Sequence, residues 1–465
     1  MAGITAIASL QKPEQGILLL DHMDDAAKRL KDSFRMAGFQ GLVISCSGAD
    51  FLPEDVVSPY QYFCHRIRGQ ERRRDALVMG ENKNRPRYFN EVNRPDYWEI
   101  SGNNTSAEIH ERQHLRGRIH YLSGQGSRLV RFVDWLDPNG RLRSRDHYDE
   151  RGFLSGRSIF DNKEKMIQRS WLDPEGRTCI TENNVTGDTI LNWKGKVFFF
   201  RERADFLLFF LKEIGETGDR IFYNSLSIPF FVSERLRRPG KEDILFWQEG
   251  RRPDIPGNMK IILTGKSNHT RRIYVQNQES YQALLDLGAS KDILRPLGYL
   301  QKYERKSRHG LDIMISTNSD QIRNIREIVR AMPGMHFHIA AITEMSNVLL
   351  GLEEEPNVTL YPGAYPKTFD KLFSFADYYL DINYGNEIMD SCRRAFENNM
   401  LLLGFRDTLH APGYLPKAHV YDKWEDLTAM LQQCMESKER LDRELAKQRE
   451  ALSGGSLMEY QSILM

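Results

Sequence analysis

The stretch WLDPNGRLRSRDHYDERGFLSGRSIFDNKEKMIQRSWLDPEG, residues 135–176, carries Asp at 137, 149, 161 and 173, twelve residues apart each time. Each Asp follows an apolar or aromatic residue: Leu136, Tyr148, Phe160 or Leu172. Asp-Pro-Asn-Gly and Asp-Pro-Glu-Gly suit a type I turn with Pro second, followed by Gly in the left-handed region as a bulge. The Asp carboxylate accepts from backbone ahead of it. The spacing therefore predicts an antiparallel meander in which each Asp pairs with the residue four beyond. One face should carry the pairs Leu136–Leu142, Tyr148–Leu154, Phe160–Met166 and Leu172–Thr178. The turn at 161–164 has no Gly, so the register is least secured there.

On the other face this register sets Arg145, Arg157 and Arg169 directly opposite one another, with Trp135, His147, Ile159 and Trp171 one step away. Like charges opposed across a ladder are destabilising. Two readings stand side by side. Either Asp134, Asp146 and Glu182 neutralise the arginines, or the face is kept for a ligand. On the second reading Arg145, Arg157, Arg169, Trp135, His147 and Trp171 are the acceptor- or partner-binding candidates.

Outward from the meander the pattern changes. From about residue 311, strands such as LDIMIST, MHFHIAAI, DYYLDIN and MLLLGF alternate with helices such as DQIRNIREIVRAM, as in a doubly wound parallel sheet. A second α/β set lies at 17–57 and resumes at about 190–300. The expected architecture is α/β and GT-B-like: two Rossmann-like domains, the first split by an inserted extended antiparallel β-sheet domain. The boundaries expected are 1–59 and 189–308 for the split domain, 60–188 for the insertion, 309–440 for the second domain, and 441–465 for a C-terminal helix and tail.

Sixty-five basic against 64 acidic residues give no basic excess, so no nucleic-acid partner is expected. Clusters such as Arg72-Arg73-Arg74 and Arg251-Arg252 read as solvated surface or local ion pairs. Five scattered cysteines without a C-x-x-C pair fit a reducing compartment and give no zinc pattern. His336 and His338 share a strand face without a third ligand nearby, so they read as core or cleft histidines. No metal and no cofactor is expected. The most apolar stretch, KVFFFRERADFLLFFLKEIG, is broken by charges well short of a membrane span. The expected location is the cytoplasm, with peripheral contact to the membrane's inner face left open.

In GT-B transferases of the retaining group, two carboxylates eight residues apart lie near the donor sugar, and cations neutralise the departing diphosphate. Here the strand at 311–317 runs into Thr317-Asn318-Ser319-Asp320, where a cation is wanted. Glu387 leads to Ala395 eight residues on, and Glu397 leads back to Met389. The preferred alignment puts Asn386 and Arg394 at the two positions. The donor site is degenerate and no catalytic residue is assigned.

The motifs DFLPEDVVSPYQYF (50–63), RPRYFNEVNRPDYWEI (85–100), NNVTGDTILNWKGKVFFF (183–200), DRIFYNSLSIPFFVS (219–233) and YYLDINYGNEIMDSCRRAFENN (378–399) carry a family resemblance. With the meander, they make the chain similar to the GtfB-type subunit of the bacterial two-protein O-GlcNAc transferase, over nearly its whole length. The resemblance implies no transferase activity alone. It implies stabilisation of a GtfA-type catalytic partner, which transfers GlcNAc from UDP-GlcNAc to Ser and Thr of a serine-rich repeat adhesin. It also implies help in holding that acceptor, a two-plus-two complex, and a place in the accessory Sec system. The alternative is an active GT-B glycosyltransferase with unusual donor contacts.

Overall fold

A computed structural model describes residues 16–48, 51–65, 85–103, 105–122, 128–215, 220–236, 242–301, 303–452 and 455–465. The Arg72-Arg73-Arg74 cluster and the first dozen residues lie outside these. The chain divides into two units, Met1–Leu297 with Tyr460–Met465, and Gly298–Glu459.

In the first unit, β1 (Ile17–Leu20) is wholly buried, as a parallel strand covered on both faces must be. A helix at Asp25–Met36 follows. The Asp24 carboxylate caps its first turn by accepting from the Ala27 N–H at 2.8 Å. β2 (Leu42–Ser45) and β3 (Val56–Val57) pair parallel beyond β1.

The chain then leaves this sheet and builds a ten-stranded antiparallel one in strict sequence order. Its strands are β4 (Glu99–Gly102), β5 (Ser106–Glu111), β6 (His114–Tyr121), β7 (Val130–Leu136), β8 (Leu142–Tyr148), β9 (Leu154–Phe160), β10 (Met166–Leu172), β11 (Thr178–Asn183), β12 (Thr189–Trp193) and β13 (Lys196–Phe200). β12 and β13 are hydrogen-bonded into this sheet, so it runs past the expected boundary at 188 to Phe200. Strand alternation explains their place: Leu191 and Trp193 go into the first unit's core, whereas Val197 and Phe199 stay exposed.

The chain returns through a helix at Arg203–Glu213 to β14 (Ile221–Tyr223), β15 (Asp243–Trp247), β16 (Thr270–Val275) and β17 (Leu294–Pro296). The first sheet is thus ordered β17-β16-β15-β14-β1-β2-β3. Phe206, Leu207, Phe210 and Leu211 of that helix are buried among Tyr62, Phe63 and Trp193. Its apolar residues therefore serve the core, with Leu208 and Phe209 partly buried against it. The last residues form a helix, Leu457–Leu464. Its Tyr460 is fully buried, with ring centroids 5.9 Å from Phe34 and 6.2 Å from Phe246. Burying a ring of this size contributes about 1.5–3 kcal/mol, which ties the chain's end to its first domain.

The second unit holds a six-stranded parallel sheet. Its strands are β18 (Asp312–Thr317), β19 (His336–Ala341), β20 (Val358–Tyr361), β21 (Tyr378–Asp381), β22 (Leu401–Phe405) and β23 (Val420–Tyr421), ordered β20-β19-β18-β21-β22-β23. The helix expected from residue 320 begins only at Ile325, after Asn324 at a φ of 50°. β23 is only two residues long because a helix starts at Trp424. A helix at Lys438–Leu452 covers the sheet, and its buried Gln448 completes strand backbone. Gln448 accepts from the Leu402 N–H and donates to the Met400 carbonyl, both at 2.8 Å. All five cysteines are buried and none is in a disulfide. No helix among the described residues is long and apolar enough to cross a membrane.

Candidate functional site

The four repeated turns share one construction. Asp137, Asp149, Asp161 and Asp173 each donate their backbone N–H to the carbonyl four residues on, at 2.9–3.0 Å. Each carboxylate accepts from the N–H of that same residue, 2.8–3.0 Å away. Gly140, Gly152 and Gly176 close their turns at φ of 79–80°. Glu164 does so at 59° without the help of glycine, and its carboxylate accepts from the Leu142 N–H of the neighbouring hairpin. The pairs Leu136–Leu142, Tyr148–Leu154, Phe160–Met166 and Leu172–Thr178 all form.

The arginine ladder does not. Each turn's bulge adds one residue, so the register just inside it slips by one: Leu136 pairs with Leu142, but Trp135 pairs with Ser144. Arg145 therefore faces Asp134 on one side and Ser158 on the other, and Arg157 faces Asp146 and Ser170. A one-residue slip also changes faces. Arg145 and Arg169 share one face of the sheet, and Arg157 lies on the opposite one.

The six candidates thus separate into three places. Arg145 donates to Asp134 from Nε at 2.6 Å and Nη2 at 3.0 Å, and lies 4.0 Å over the Phe132 ring. His147, on the same face, is buried with Nε2 at 3.0 Å from Ser158 Oγ. Trp171 is buried against Tyr60, centroids 4.6 Å apart, with Arg169 3.7 Å over its ring. A Cβ on Gly48 would lie 2.2 Å from the Trp171 ring. Beside them Glu182 accepts from Tyr60 Oη at 2.6 Å and pairs with Arg203 at 3.1 Å. Trp171 and Arg169 therefore weld the meander to the first α/β domain.

Trp135 and Arg157 remain, on the other face. There the segment 85–98 crosses the sheet and buries its Val92 against an apolar floor of Ala107, Ile109, Ile119, Val130, Val133 and Tyr148. Arg87 holds it down, donating to the Gly152 carbonyl at 2.9 Å and the Glu91 carbonyl at 2.6 Å, with its guanidinium 5.0 Å over Tyr148. Burial pushes the Tyr148 hydroxyl up to about 12 and keeps it protonated. A cleft of about 420 Å3 remains, lined by Trp98, Trp135, Ser144, Asp146, Tyr148 and Arg157 among others. The sequence signal for Trp98 and Arg87 lay in the motif 85–100, but their meeting with the meander did not.

In the second unit the strand order reverses between β18 and β21, the switch point outside whose strand ends a doubly wound sheet receives its ligand. Here the two loops touch. A Cβ on Gly385 would lie 2.3 Å from Asn318 Oδ1 and 2.9 Å from Ser319 Cβ. Thr317 Oγ1 donates to Ser319 O at 2.6 Å and lies 3.0 Å from Asn383 Oδ1. Arg323, the first cation after β18, is drawn off to Asp407 and lies 4.4 Å over Phe405. Asn386 is exposed. Arg394 pairs with Asp370 at 2.5 Å and stacks 4.4 Å over Phe373. Glu387, the nearby carboxylate, accepts from the Cys392 N–H at 2.9 Å. His410 sits at the end of β21, its Nδ1 2.5 Å from the buried Asp381 carboxylate, whose hydrogen bond raises the imidazole to about 9.

His338 meets Asp312 at 2.8 Å and Tyr361 at 3.0 Å, and His336 meets Thr359 at 2.7 Å. Among the described residues no group of three or more His, Cys, Asp or Glu side chains could hold a metal.

Two doubly wound sheets with an inserted antiparallel meander define the class: a GT-B-like chain. The matching family profiles are the GtfB N-terminal domain over residues 17–63, the GtfB middle domain over 98–201, the GtfB third domain over 203–287 and the GftB/GlyA-F C-terminal domain over 313–448. A UDP-N-acetylglucosamine–peptide N-acetylglucosaminyltransferase stabilizing protein GtfB from Streptococcus agalactiae is 40% identical over 85% of this chain and 86% of its own. Its counterpart from Streptococcus gordonii is 34% identical over 96% and 98%. A chain in the crystal structure of a GtfA/B complex bound to UDP and GlcNAc superposes with a TM-score of 0.85 at 34% identity, covering 96% of this chain and 98% of that one. The protein belongs to the GtfB family of glycosyltransferase-stabilising proteins.

Proposed function

We propose that this chain is the non-catalytic subunit of a GtfA-type O-GlcNAc transferase. It stabilises the catalytic partner and holds the Ser/Thr-rich polypeptide that receives the sugar. The observation that carries this reading is the closed crevice between β18 and β21, where Asn318 and Ser319 lie against Gly385 and neither Asn386 nor Arg394 is a carboxylate. A departing nucleoside diphosphate needs cations and space at that point, and here loop atoms stand in it.

Folded-partner stabilisation requires only that the chain bind the native partner and not its unfolded form. The hairpin β12–β13 favours itself as that surface, because it ends the ten-stranded sheet and leaves Ile190, Val197 and Phe199 exposed on one face. A two-plus-two complex, a serine-rich repeat adhesin as acceptor, a role before accessory Sec export, and a cytoplasmic site at or near the membrane's inner face complete the proposal.

The test is GlcNAc transfer from labelled UDP-GlcNAc to a serine-rich acceptor by this chain alone, by the catalytic partner alone, and by both. A clear gain of the pair over the partner, with none from the chain alone, is the expected result. Transfer by the chain alone would make it an enzyme and overturn the reading of its crevice.

A further inference from the structure

The His410 ring stands between two hydrogen-bond acceptors. Its Nδ1 lies 2.5 Å from Asp381 Oδ1, and its Nε2 lies 2.5 Å from the Gly385 carbonyl oxygen. A neutral imidazole has one N–H and one lone pair, so it satisfies only one of these acceptors. The His410 backbone N–H donates to the other Asp381 oxygen at 2.9 Å, which favours the ionised carboxylate and leaves the proton on the ring. The geometry therefore calls for an imidazolium that donates from both nitrogens.

The loop it grips, 382–390, joins β21 to the helix Ser391–Glu397. The first half lies against the chain that follows β18: the Tyr384 N–H donates to the Gln321 carbonyl at 3.0 Å, and Gly385 abuts Asn318 and Ser319. Its second half is strained. Met389 and Asp390 take φ of 57° and 50° in succession, in the left-handed region that non-glycine residues avoid. Such a conformation persists only where its surroundings over-determine it, and it recurs in segments that switch. Ile388 is buried and the Cys392 N–H donates to Glu387 at 2.9 Å, so the loop's far end is anchored. At the near end the Gly385 carbonyl is clipped by His410.

The charged groups that face the ring are Asp381 from β21 and Glu387 from the loop, and both favour the imidazolium. Cys392, on the helix beyond, is buried beside these carboxylates, and burial pushes its thiol far up and keeps it neutral. On the ring's own segment, Asp407 is taken by Arg323 and by Tyr384 Oη. The Asp381 hydrogen bond, above all, raises the ring to about 9. The grip is thus complete through neutral pH and is lost as pH rises through about 9.

We propose that His410 is a charged latch on a two-state loop: the imidazolium ties Gly385 to Asp381, and its loss frees residues 382–390 from the switch point of the second sheet. Met389 and Asp390 then leave the left-handed region. The latch lies within one domain, and it holds or fails independently of the function proposed above.

The test uses the full chain. Nitrogen-15 shifts of the His410 ring read its protonation, and hydrogen exchange read by mass spectrometry follows the loop. At about pH 7.5 both ring nitrogens should carry protons. Between about pH 7.5 and 10, exchange over 382–392 should quicken about tenfold beyond its intrinsic pH dependence, while the strands of the parallel sheet keep their protection. His410→Gln, which carries no charge, should show the faster exchange already at neutral pH and no step near 9. A singly protonated ring at neutral pH would overturn the latch, as would equal protection of the loop in wild type and His410→Gln. Protection lost across the whole sheet in that variant would make His410 a part of the core and overturn it too. If His410→Gln does not fold, the wild-type profile decides, and exchange without a step confined to 382–392 refutes the proposal.

Discussion

Asp149 accepts from the Arg151 and Phe153 N–H groups, and the same geometry recurs at Asp137 and Asp161. The glycines that close three of the four turns are not equivalent, however. Around Gly140 and Gly176 a Cβ would meet nothing, whereas at Gly152 it would lie 2.9 Å from the Arg85 carbonyl oxygen. Gly140→Ala and Gly176→Ala should each cost about 1–2 kcal/mol, the left-handed penalty alone. Gly152→Ala should cost more and loosen the strap, read as a larger drop in urea midpoint together with a change in Trp98 fluorescence. His410 gives a second residue-scale prediction. Its imidazole titrates at about 9 when folded because of Asp381, against about 6.5 in an unfolded chain. The stabilisation it contributes is complete below about pH 6.5 and is lost as pH rises towards 9. Urea midpoints between pH 6 and 9.5 should fall more steeply for the wild type than for His410→Gln, and parallel curves would refute the assignment.

At the scale of elements, the meander has two kinds of face. Between β4 and β9 the face bearing Val133 and Tyr148 is covered by the protein's own strap. At β12–β13 that same side of the sheet carries Ile190, Val197 and Phe199 uncovered, with Phe199 58% and Val197 71% exposed, on a strand whose outer edge pairs with no described strand. An exposed edge with apolar side chains is a template for another chain unless something covers it. Val197→Asp with Phe199→Asp should leave the isolated chain's stability within about 0.5 kcal/mol, as for surface changes generally. The same pair should lower recovery of the catalytic partner in co-purification at least about tenfold, equivalent to 1.4 kcal/mol. Undiminished recovery would remove the hairpin from the interface. The helix at Arg203–Glu213 makes the opposite point. Its run of Phe and Leu reads equally as interface or core, and the structure makes it core because β13 and the Pro59–Phe63 helix pack on it.

For the molecule as a whole, a stabilising subunit acts by mass action. At a hundredfold excess over its dissociation constant, this chain should raise the partner's unfolding free energy by about 2.7 kcal/mol. The partner's urea midpoint should climb steadily with added chain, and a midpoint independent of concentration would contradict the proposed role. Charged groups around the switch point of the second sheet are used internally. Glu387 caps a helix, Arg394 pairs with Asp370, and Arg323 pairs with Asp407.

Turn chemistry and strand–helix alternation are local, and the sequence by itself determined them. The twelve-residue period, the Asp caps and the pairs beside each turn were all legible from residue types at short range. The bulge was legible too, but its consequence was not: one extra residue per turn sends Arg157 to one face and Arg145 and Arg169 to the other. Which face each charge takes, and that Trp171 packs on Gly48 while Trp135 opens onto a cleft under residues 85–98, was decided only in the tertiary structure. The physical reason is that those contacts join segments tens of residues apart. No local preference encodes them, and they form only because each apolar face must be covered by whatever part of the chain the sheet brings to it.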